Sequence, residues 1–137
     1  MMSKVTMDDL EDMRVLVHRV VKDREKYDAI KSRLTSPQGL RTDDKVQSSG
    51  GDNQQLLVTA IELGQKIDAE EAVLERMKAA AEEAFAVLEQ DDALLMKLRF
   101  MCGLEWDDVW SILCCSDAAG FRQYKKSKET LFGKEYT

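Results

Sequence analysis

One proline, one histidine, three cysteines and few aromatics (7%) in 137 residues each remove a class of answer. The lone Pro37 and a hydrophobic content of 44% argue against disorder and for a folded chain that is mostly helical. Cys102, Cys114 and Cys115 are odd in number and lack the two-ligand spacing of a zinc site, so neither a disulfide framework nor a metal centre is expected. Cys114 and Cys115 are too close for an unstrained disulfide and read as small apolar residues. His18 has no second His or nearby Cys and reads as a surface or seam residue. No apolar run approaches the roughly 20 residues of a membrane span, and residues 1–5 lack a signal-peptide core. Neither a Gly-rich phosphate loop, a nucleophile elbow nor a paired-carboxylate constellation occurs, so no enzyme activity and no cofactor are expected. These absences point to a reduced, cytoplasmic, metal-free protein that does not enter membranes.

Apolar residues do recur at helical spacing. Charged residues make up 34% of the chain, which suits long solvated helices. Thr6 and Asp9 form a capping box, with Asp8, Asp9, Glu11 and Asp12 loading the first turns with acid. Met13, Leu16, Val20, Tyr27, Ile30 and Leu34 then predict a helix of roughly 28 residues, about 42 Å long. Asp23 is its one polar interruption, and Ser36-Pro37 ends it. Residues 35–52, rich in Ser, Gly, Asp and Thr, predict a flexible connection. A second long helix is expected from about residue 52 to Glu89, with a seam of Leu56, Ala60, Leu63, Ile67, Leu74, Met77, Ala81, Ala84 and Leu88. Glu70 interrupts that seam once, and Gly64 beside it is a weak point or a place of close approach. Two such helices predict an antiparallel coiled-coil hairpin. Val15, Val21, Val73, Phe85 and Val87 on its outer edges suggest a homodimer.

The last third of the chain has a different plan. Asp91-Asp92 is expected to cap a helix from Ala93 to Met101, whose buried face is Leu94, Leu95, Leu98 and Met101. Gly103 breaks it. A short helix from Glu105 to Leu113 follows, with Val109, Ile112 and Leu113 on one side. After a turn at Cys114-Cys115, Ser116 N-caps a helix running to Leu131. Two short helices joined by a tight turn and braced by a third make a helix-turn-helix. From periodicity alone, the same pattern also suits a helical cap on the hairpin.

Leu98-Arg99-Phe100, Gly103-Leu104-Glu105-Trp106-Asp107-Asp108-Val109, Leu113 and Ser116 resemble the fourth region of bacterial sigma factors. With the stretch Val46-Gln47-Ser48-Ser49 and Asp52 between two long helices, the whole layout resembles small phage and prophage regulators of the ArpU/RinA type. The resemblance implies a transcription regulator that binds double-stranded DNA, RNA polymerase or both. The chain departs from that pattern at three places. Trp110 stands where a small Ala is usual, Cys114 where a Gly adopts the left-handed turn, and Asp117-Ala118-Ala119 where base-reading side chains begin the recognition helix. Gly120 also lies where a packed Val is expected, and a one-residue slip would put Phe121 in that core position.

The expected architecture is therefore all-α. A helical hairpin over 1–90, with its connection at 35–52, acts as a dimerisation arm, and a sigma-like module occupies 91–137. Charge is distributed unevenly. The chain totals −6, unlike most free-standing nucleic-acid binders, yet residues 117–137 carry +2. Arg122, Lys125, Lys126 and Lys128 would meet phosphates, and Ser116 and Gln123 a base or a phosphate. An ordinary solvated helix face is the bland alternative for this cluster. A different class of function also stays open: an adaptor that holds a protein partner, with Trp106 and Trp110, if exposed, as its anchors.

Overall fold

The computed structural model describes residues 5–35 and 46–133, of which 46–53 are described by backbone alone. It is all-α: among the described residues there are α1 (Met7–Thr35), α2 (Val46–Phe85), α3 (Gln90–Met96) continuing into a π-helical turn at Lys97–Met101, α4 (Trp106–Leu113) and α5 (Asp117–Phe132). No strand is present among them. The chain forms two compact units, one of Met1–His18 with Val73–Thr137 and the other of Arg19–Ala72.

α1 starts at the capping box. The Thr6 N–H donates to Asp9 Oδ2 at 3.0 Å and the Asp9 N–H to Thr6 Oγ1 at 3.1 Å, so two otherwise unpaired donors are satisfied reciprocally. Leu10, Met13, Leu16 and Val20 are buried, as are Ala60, Ile67, Leu74 and Ala81 of α2. α2 differs from expectation at both ends. It begins at Val46, inside the stretch expected to be a connection, of which 36–45 lies outside the described residues. Extending an existing helix needs no new nucleus, so weak formers such as Gly50 and Gly51 are overridden by continued backbone hydrogen bonding. It ends at Phe85 rather than Glu89, and Phe85, expected on an outer edge, is buried. Phe85 lies one turn beyond Ala81 on the buried line of α2, which explains its place inside.

Within the second unit the two polar interruptions come together. Lys66 Nζ lies 3.2 Å from Asp23 Oδ2 and 4.0 Å from Glu70 Oε2. Arg24 pairs with Glu71, and Gly64 brings α2 close to the Tyr27 ring. Burial, then the neighbouring Asp23, raises the Glu70 carboxyl above its ordinary range. Burial also works to raise Asp23, but Lys66 and the neighbouring Glu70 outweigh it and hold Asp23 below its usual value.

Folding therefore favours neutral Glu70 and ionised Asp23. The Glu70 contribution is complete below its unfolded pKa and disappears as pH rises through the folded one. The Asp23 contribution is present above its unfolded pKa and is lost as pH falls through the folded one. Glu70→Gln should raise the melting temperature over wild type above the folded pKa of Glu70 and change it little in acid. Thermal scans of both proteins across pH 3–8 check this, and an equal shift at every pH would rule Glu70 out as the titrating partner.

In the first unit, the expected capping by Asp91 and Asp92 is replaced. Glu89 occupies the N-cap of α3, both aspartates sit in the first turn, and Asp92 is buried. The buried face is Leu95, Met96 and Phe100, while Leu94 is 42% exposed and Leu98 and Met101 are half-buried. Apolar residues ring this helix almost completely, so spacing alone did not select a face. Asp92, which accepts from Gln123, lies on the buried face. Gly103 adopts φ 74°, and a side chain there would come within 3.0 Å of Val17 Cγ1, so the turn needs glycine for both backbone and space.

Candidate nucleic-acid interface

The α4–turn–α5 segment is held by a reciprocal exchange of size. Trp110 is 3% exposed, not a surface residue, and its ring fills the space over Gly120. A Cβ on Gly120 would stand 2.4 Å from Trp110 Cε3 and Cζ3, which no packing tolerates. Around that contact the aromatic rings form one cluster. Trp106 stacks on Trp110 with centroids 5.0 Å apart, and Phe121 meets both indoles edge-on. Tyr124 lies 4.6 Å from Trp106, and burial raises its phenol pKa. Arg99 covers the other face of this group, 4.4 Å from the Trp106 ring, and donates from Nη1 to the Leu104 carbonyl at 3.0 Å. The buried residues of α4 are thus Val109 and Trp110. Ile112, expected inside, is 54% exposed because Trp110 rotates the helix face towards Gly120.

The turn is tight. Cys114 takes the left-handed conformation, φ 57° and ψ 48°, at the position where the sequence pattern places that backbone. Its N–H reaches the Ser111 carbonyl and that of Cys115 reaches the Trp110 carbonyl, the paired bonds of a Schellman motif. A side chain in this region is strained by roughly 1–2 kcal/mol. Ser116 then caps α5, its Oγ accepting from the Ala119 N–H at 3.2 Å.

The six residues expected to contact DNA divide into two groups. Ser116 is engaged as the cap. Gln123 donates from Nε2 to Asp92 Oδ1 at 2.8 Å, tying α5 to α3, and its carbonyl accepts from Ser127 Oγ at 3.0 Å. Lys128 is half-buried, with its ammonium 4.5 Å from the Tyr124 ring centroid. Arg122, Lys125 and Lys126 are exposed, and among the described residues none of the three forms an ion pair. With Ala118 they occupy the side of α5 away from Gly120, Gln123 and Ser127, as a helical period of 3.6 requires. Two features escaped the sequence: the Asp92–Gln123 bond, which joins residues 31 apart, and the pairing of Trp110 with Gly120. A large residue and a missing one, each out of place, were the only signal of the second.

Among the described residues no group of three or more His, Cys, Asp or Glu side chains could hold a metal ion, and no helix is long and apolar enough to cross a membrane. Set against known proteins, the chain matches no family model, no curated protein and no solved structure.

Proposed function

We propose that the protein is a phage-type transcription regulator that docks on double-stranded DNA through α5, with or without RNA polymerase. In this reading α3, α4 and α5 are the three helices of a sigma-like helix-turn-helix of the kind found in ArpU/RinA-type regulators. α1 and α2 form an antiparallel helical hairpin that serves as a dimerisation arm. The observation that supports it best is the row of Arg122, Lys125 and Lys126, exposed and in no ion pair among the described residues, on the helix that follows the turn. Lys and Arg placed so can neutralise phosphates and release counterions. The left-handed Cys114 and the Ser116 cap supply the turn that such a motif needs.

The adaptor reading loses its anchors, because Trp110 is buried and Trp106 is half-buried against Trp110, Phe121, Tyr124 and Arg99. The Trp110 indole cannot meet a partner without opening the packing that holds α5, and Trp106 offers only part of its ring.

The test is binding of the purified chain to pooled fragments of its own source genome at two salt concentrations. Enrichment of a few fragments, with affinity falling steeply as salt rises, is the expected result. No binding at either salt would overturn the proposal.

A further inference from the structure

α2 has a second stripe. Leu57, Val58 and Ile61 are 51%, 48% and 53% exposed, a contiguous apolar patch in the middle of a helix whose own seam is Leu56, Ala60, Leu63 and Ile67. At about 100° per residue the patch lies opposite that seam. Gln54 precedes it by one turn and Gln65 follows it by one turn, both exposed. Gln54, Val58, Ile61 and Gln65 keep the alternating four- and three-residue spacing of a coiled-coil seam, apolar at its centre and polar at its ends.

We propose that this stripe is the contact between two copies of the chain, laid antiparallel about a two-fold axis with Val58 of each facing Ile61 of the other. The proposal rests on the dimer put forward above and names its surface. Charge decides the occupant. Residues 53–61, NQQLLVTAI, hold no charged side chain although 34% of the chain is charged. A partner recognised by opposite charge would meet a charged rim. Two copies of a chain carrying −6 instead approach with least repulsion along this stretch, where Glu62 at the flank is the one charged side chain between Gln54 and Gln65. A two-fold contact is self-complementary, so the pairing that opposes Val58 and Ile61 also opposes Gln54 and Gln65. Each amide has both donors and an acceptor, and can bond its counterpart without a charged partner.

Sedimentation equilibrium of the full chain tests this with three proteins: wild type, Val58→Glu and Ile61→Lys. Both positions are about half exposed, so circular dichroism of the variants should match wild type. Wild type should dimerise, and each variant alone should bind itself at least about tenfold more weakly. An equimolar mixture of the two variants should recover the dimer, because the carboxylate introduced at position 58 of one chain then faces the ammonium introduced at position 61 of the other. A wild type that is monomeric at every concentration overturns the dimer and this surface with it. A wild-type dimer unchanged by either substitution overturns the surface and leaves the dimer standing. Weakened variants that do not recover on mixing overturn the antiparallel register.

Discussion

Gly120→Ala is expected to destabilise the first unit by about 1–3 kcal/mol, although in an exposed helix the same change gains about 1 kcal/mol. The reason is local. The new Cβ would stand 2.4 Å from two atoms of the Trp110 ring, and that ring cannot retreat because Trp106 stacks on it and Phe121 abuts its edge. Gly120→Val should be worse. Trp110→Ala empties the same space from the other side and should lower stability by about 3–5 kcal/mol. Combining Trp110→Ala with Gly120→Val restores a small residue on α4 opposite a branched one on α5. The introduced valine side chain then fills part of the cavity, so the double variant should be more stable than Trp110→Ala alone. Urea denaturation of the four proteins measures the coupling. If the two effects simply add, Trp110 and Gly120 are not a compensating pair.

That pair shows where sequence reasoning stops. Trp110 and Gly120 each look out of place in the sequence, and both belong to one contact in which the large residue is on α4 and the missing side chain on α5. Spacing within one helix cannot reveal an exchange between two. The same limit applies to Gln123, which looks free until Asp92 is seen to hold it. It also applies to α3, where apolar residues all round leave no preferred face within the helix itself.

Features that depend on neighbours within a turn were legible. The Thr6–Asp9 box and the Ser116 cap occur where local chemistry places them. So were the long stripes of α1 and α2, since a polar residue in a seam marks its own position. Asp23 and Glu70 interrupt separate stripes and meet at Lys66. The start of α2 was not legible, because Gly and Ser report propensity while helix extension depends on what has already formed.

Replacing Arg122, Lys125 and Lys126 together by Ala should abolish specific binding to any fragment the wild type selects. If each contacts one phosphate, the dependence of log affinity on log salt should become shallower by about 2.7. All three are exposed, so melting should change little. Gln123→Ala should behave in the opposite way. Removing it leaves buried Asp92 without its 2.8 Å donor and should cost about 1–3 kcal/mol of stability. The protein that remains folded should keep the wild-type salt slope. Fluorescence anisotropy across a salt series, with melting curves on the same samples, separates the two effects. A triple variant that binds like wild type would remove α5 as the DNA surface, and a Gln123→Ala variant with unchanged stability but lost fragment preference would show that Gln123 leaves Asp92 to read a base. The contrast rests on one physical division in α5: one side is engaged in holding the helix to α3 and α4, and only the other has charge to offer.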